Sequence, residues 1–208
     1  VGELYNEIAG HSLSRLAALS DGIFAVAMTL LVLDLHIPLS GNISDHGLWE
    51  KLLPLGGTLL AYFMSFLTLG IFWLGQQTQL NLLARSDRNL TWIHIGFLLW
   101  VALMPGSTAL LAAFIDLRTA LLGYWLNILI LGALLYWGWA YARRAGLVKE
   151  AAPEGIDAAI RRRIVTAQLL YALGAALCVF STHWSIAFIV LVQLNYVIAP
   201  QVRWLRHL

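Results

Sequence analysis

At 208 residues, with 60% hydrophobic and only 12% charged side chains, the chain departs from the roughly one-quarter charged composition of soluble domains, which excludes an ordinary water-facing globule. Its net charge is a mild +2, and nothing in it calls for a nucleic-acid partner. One cysteine, Cys178, excludes a disulfide framework.

The composition predicts an all-α, polytopic membrane protein with six transmembrane helices. They form a single domain over residues 1–208, with spans at about 13–36, 48–84, 89–114, 117–144, 160–180 and 184–203. The first span, from Arg15 to His36, is long enough to cross a bilayer but carries Asp21 about two turns in. An ionised group at that depth costs ~2–3 kcal/mol or more, so Asp21 is expected to face other helices or water and to pair with Arg15, Gln77 or a nearby hydroxyl. On a helical wheel Gly22, Val26, Thr29, Leu30, Leu33 and Ile37 share an apolar stripe with one hydroxyl, and Asp21 lies on the far side as a buried acid. Such spacing alone describes a core or lipid-facing helix as well as a pore. Ser12 or Ser14 is available as the N-cap. With no small-residue cleavage site behind it, this span is expected to act as its own insertion signal.

The chain then leaves the membrane at Pro38 and returns as a second span that Pro54 and Gly56-Gly57 should kink. Its inner half becomes amide-rich at Trp73, Gln76, Gln77, Gln79 and Asn81, and that end is expected to project beyond the bilayer. The third span holds His94, a kinking Pro105 and Ser107. The fourth ends in Tyr136, Trp137, Trp139 and Tyr141 just before Arg143-Arg144, the pattern of a membrane interface. Arg161-Arg162-Arg163 is expected to open the fifth span, orienting it or meeting anionic lipid. The sixth carries Asn195, expected to be buried, and Pro200.

Charge orders these spans. Eleven Lys and Arg fall on one side (Arg15, Arg85, Arg88, Arg143, Arg144, Lys149, Arg161, Arg162, Arg163, Arg203 and Arg206), against two, Lys51 and Arg118, on the other. The bias places both termini in the cytoplasm and is lost with five or seven spans.

No His-Glu-x-x-His or Gly-x-Ser-x-Gly occurs, so no enzyme is expected. Only His94 among the six histidines lies well inside a span, which argues against paired haem ligands, and no cofactor or metal is expected. A transporter normally gathers several polar groups at mid-membrane, and this chain offers chiefly Asp21.

Arg15-Leu-Ala-Ala-Leu19-Ser20-Asp21 resembles the R-x-x-x-F-S-D signature on the first helix of bacterial relatives of the endolysosomal six-helix potassium channel, with Leu19 where the signature has Phe. Phe72-Trp73-Leu74-Gly75-Gln76-Gln77 is similar to the family's Trp followed by His, with Gln at the His positions. The resemblance implies a homotetramer around helix 1, leak-like, conducting K+ with modest preference over Na+, and admitting other monovalent cations. It implies constricting layers at Val26, Leu30 and Leu33, a hydroxyl ring at Thr29, a cation-attracting outer mouth at Asp34, and a signature network of Arg15, Ser20, Asp21, Trp73 and Gln77. It also implies a bacterial inner membrane, with membrane lipid around the assembly and potassium only as the permeant ion. Val26 is smaller than the usual residue of its layer, so weaker selectivity is expected; Gln in place of His predicts a network less sensitive to pH. A proton-coupled or proton-permeable transporter using Asp21 is the alternative.

Overall fold

Apolar length and capping residues decide where the helices run. The computed structural model describes residues 12–34 and 44–198. Helix α1, Leu13–Leu30, starts where the Ser12 hydroxyl accepts from the Arg15 N–H at 3.3 Å, and it tightens into a 3-10 turn at Leu31–Asp34. Helix α2, Asp45–Leu52, is short and capped by Ser44; a 3-10 turn at Leu53–Leu55 containing Pro54 separates it from α3, Gly56–Leu82. The kink expected there is therefore a full break. Pro54 lacks the N–H that a continuous helix would use.

Helix α4, Arg88–Ala102, is capped by Asp87, whose carboxylate accepts from the Leu90 N–H at 2.7 Å and from the Tyr141 hydroxyl at 2.7 Å. It joins α5, Met104–Ala113, through Leu103, with Pro105 in the first turn of α5. Helix α6, Arg118–Arg144, is uninterrupted. Helix α7, Ile156–Ala176, continues as a 3-10 turn over Leu177–Val179, and α8 is Thr182–Ile198. Five of the spans are long and apolar enough to cross a membrane, and α8 is a shorter apolar helix within the described residues. Arg161-Arg162-Arg163 does not open α7. The helix begins earlier, after Gly155 at φ 79°, and Asp157 in its first turn accepts from Arg161 at 2.9 Å.

Helix α1 packs on α3 and α4, α3 on α5 and α8, α6 on α4, α5 and α7, and α7 on α8. Phe97 joins the first three, its ring 6.1 Å from Phe24 and 6.2 Å from Phe72. A smaller cluster of Leu16, Leu80, Leu83, Leu90, Ala142 and Leu147 ties together the start of α1, the ends of α3 and α6 and the start of α4. Most of the arginines gather at this end. Arg118 lies at the opposite one, donating to the Val179 carbonyl at 3.1 Å.

At the amide-rich end of α3, Gln76 and Gln79 are buried against neighbouring helices, and the Lys149 N–H donates to the Leu82 carbonyl at 2.9 Å. One expectation is corrected here. Asn195 is only half-buried, and the buried amide of α8 is Gln193.

Gln193 Nε2 donates to Thr68 Oγ1 at 2.7 Å, Thr68 meets the Tyr124 hydroxyl at 3.2 Å, and Thr108 donates to Ser65 at 2.6 Å. These bonds link α8, α3, α6 and α5 where lipid offers no hydrogen bonds. Packing is tight between α7 and α8, where a Cβ on Gly174 would lie 2.8 Å from Ile189 Cγ1 and 3.1 Å from Phe188 Cδ1. Gly174→Ala should therefore cost about 1–3 kcal/mol through overpacking. Thermal unfolding in detergent should show a lowered midpoint; an unchanged one contradicts the close approach.

Candidate functional site

The two faces of α1 differ sharply. Leu16, Ser20, Phe24, Ala27 and Leu31 turn into the bundle, with Phe24 2% and Ala27 1% exposed. On the opposite face Val26, Leu30 and Leu33 are 56%, 41% and 66% exposed, and Thr29 is exposed between them. The stripe is thus the part of α1 that its own subunit leaves uncovered. Thr29 Oγ1 donates to the Ala25 and Val26 carbonyls at 3.0 and 2.9 Å, so its proton is spent on the helix and its lone pairs remain available. Aliphatic side chains offer no oxygen to a dehydrated cation. A ring of them makes a narrow path that water enters only when it widens.

Behind the stripe a polar brace holds α1 to α3. Asp21 Oδ1 accepts from Trp73 Nε1 at 2.8 Å and from Gln77 Nε2 at 2.7 Å. Deeper in the packing, Ser20 Oγ accepts from Gln76 Nε2 at 2.9 Å and donates to the Leu16 carbonyl at 2.9 Å. Adjacent residues on each helix thus form two parallel rungs. Trp73, Gln76 and Gln77 meet the same partner helix because residues three and four apart share a helical face.

Several placements differ from the sequence reading. Asp21 is not buried: it is exposed on the isolated chain, and its two donors lie at the bundle surface. Among the described residues Arg15 makes no ion pair with Asp21; its backbone N–H is held by Ser12. Gln76, left out of the expected network, supplies the inner rung. Its signal was its position one residue before Gln77 and three after Trp73. Leu19, at the signature's Phe position, is exposed. The Asp34 side chain, the stretch 35–43 with Ile37 and Pro38, and the stretch 199–208 with Pro200, Arg203 and Arg206 lie outside the described residues. His94 is buried with Nδ1 3.1 Å from the Leu90 carbonyl. Among the described residues no group of three or more His, Cys, Asp or Glu comes together as a metal site.

Residues 15–105 match the family described as endosomal/lysosomal potassium channel TMEM175. The fold superposes on the crystal structure of a lysosomal potassium-selective channel TMEM175 homolog from Chamaesiphon minutus with a TM-score of 0.77 and 26% identity, over 91% of this chain and 98% of that one. Over residues 15–105 the chain is similar to the TMEM175 family. The stretch matching TMEM175 contains both rungs of the brace and the whole exposed stripe.

A protein named potassium channel from Streptomyces collinus is 39% identical over 101 residues, 49% of this chain and 48% of that protein. Another of that name from Chamaesiphon minutus is 36% identical over 101 residues, 49% of this chain and 50% of that protein. The chain spans about half the length of these curated relatives. The family and both relatives are described as potassium channels. With five helices long and apolar enough to cross a membrane among its described residues, the chain is a multi-pass membrane protein.

Proposed function

We propose that four copies of this chain form a leak-like cation channel in a bacterial cell membrane, with the exposed face of α1 from each subunit lining a central path. The carrying observation is the uncovered stripe of Val26, Thr29, Leu30 and Leu33 opposite the core-facing residues of α1. Four such stripes around one axis bury apolar surface away from water and leave a constriction governed by wetting. The path admits K+ with modest preference over Na+, and other monovalent cations pass as well. Val26 forms the looser layer, and the Thr29 lone pairs stabilise a partly hydrated ion. Asp34 raises cation concentration at the outer mouth. The end bearing most of the arginines faces the cytoplasm, as do both termini.

The network of Ser20, Asp21, Trp73 and Gln77, completed by Gln76, sets the angle at which α1 presents this stripe. Arg15 serves at the head-group level of the same helix. The test is K+ efflux from liposomes holding the purified protein, together with the mass of the solubilised particle. Flux without added H+ gradient from a four-chain particle supports the proposal; a monomer that moves K+ only against protons favours transport through Asp21.

Neither amide of the brace titrates, so parent flux should change little between about pH 5 and 8, the window in which histidine alters its charge. Gln77→His should introduce a pH dependence inside that window. Identical pH profiles for parent and variant would detach the brace from conduction.

A further inference from the structure

On the side of the bundle away from the α1 stripe, α3, α6, α7 and α8 leave a cavity of about 90 Å³. Phe72, Leu135, Ile160, Ile164 and Ala167 supply apolar walls, while Arg163 and Tyr196 border it as well. Its volume is several times the ~10–15 Å³ that one water needs, and so apolar a wall gives water few partners. In a membrane, the neighbouring material of matching chemistry is the acyl chain.

What sits at the head of that chain follows from the arginines. Asp157 binds Arg161 at 2.9 Å and Arg143 at 3.8 Å, offsetting part of the charge of those two. Arg163 stands apart. Its guanidinium lies over the Tyr196 ring at 5.7 Å, and among the described residues no carboxylate lies within ion-pair distance of it. A cation held on an aromatic face at the mouth of an apolar cavity is complementary to an anionic head group carrying a hydrocarbon tail.

We propose that this crevice binds one anionic phospholipid per subunit, from the leaflet at the arginine-rich end. The phosphate rests on Arg163, and one acyl chain fills the cavity. The site stands independently of the path along α1.

Native mass spectrometry of the full chain in detergent, with phosphatidylglycerol and phosphatidylcholine of identical tails, tests it. The parent should retain about one phosphatidylglycerol per chain and prefer it about fivefold, the factor expected of one basic residue near an anionic group. Arg163→Gln should erase that preference, and Arg144→Gln, at the exposed Arg144 of the same end, should leave it intact. Ala167→Phe, filling the cavity, should reduce retention of both lipids. If Ala167→Phe does not fold, the Arg163→Gln result decides by itself. Equal retention of the two lipids by the parent, or a preference surviving Arg163→Gln, would overturn the proposal. So would cross-linking of Ala167→Cys to another copy, which would make the crevice a seat for a neighbouring chain.

Discussion

Leu30→Asn is expected to raise K+ flux by about tenfold or more, the change that ~1.4 kcal/mol off a barrier produces. Leu30 is 41% exposed on the uncovered face of α1, between Val26 and Leu33. In the proposed tetramer four leucines at one level would exclude water, whereas four carboxamides would hold it by hydrogen bonds and lower the cost of bringing a hydrated ion through. The same change should blur K+ over Na+, because a wetted ring no longer penalises the more strongly hydrated ion. Leu30→Ala widens the ring without adding polarity and should give a smaller rise. A liposome flux assay with K+ or Na+ gradients reads both effects. Leu169→Asn, on an exposed face of α7, is the control and should leave selectivity unchanged. Parent-like flux and selectivity in Leu30→Asn would remove Leu30 from the path.

Asp21→Ala should act on assembly before conduction. Oδ1 of Asp21 takes hydrogen bonds from both Trp73 and Gln77, and alanine strands both donors. Interhelical hydrogen bonds in membranes average ~0.6 kcal/mol and reach ~2, so losing two should cost about 1–3 kcal/mol in each subunit. In the proposed tetramer this loss should yield a lower melting midpoint in detergent and a loss of the assembled particle on size-exclusion chromatography. Asp21→Asn separates the roles: it keeps a carbonyl oxygen for Trp73 and Gln77 while removing the charge. Near-parent assembly and K+ flux are expected of it. If Asp21→Asn assembled normally but abolished pH-driven flux, the carboxylate would be a proton carrier and the transporter account would replace the channel.

Span positions were readable because bilayer thickness imposes a length, and Pro54 and Pro105 marked breaks because proline cannot supply a helical N–H. Which face of each span turns inward was much less readable. Lipid and protein core are equally apolar, so a helical wheel loses the contrast that it has in water. Asp21 illustrates the difficulty. A lone carboxylate in an apolar run reads as buried, yet its donors sit at the bundle surface, and the buried rung belongs to Ser20 and Gln76. The same limit put Asn195 inside in place of Gln193: residues two apart point to nearly opposite sides, and only the contact with Thr68 decides between them. The triple arginine was misplaced for another reason. Its charge resembled a helix start, but Asp157 four residues before Arg161 stabilises an earlier turn. The lipid crevice left no linear trace, because its walls come from four separate helices.

Cross-linking at Leu30 bears most directly on the claim that four α1 helices face one another. In a Cys178→Ala background, Leu30→Cys should form a disulfide between neighbouring copies under mild oxidation, with K+ flux falling as dimers appear and recovering on reduction. Leu169→Cys should give neither effect. A Leu30→Cys protein that stays monomeric on a denaturing gel and conducts unchanged when exposed to a water-soluble thiol reagent would contradict the account.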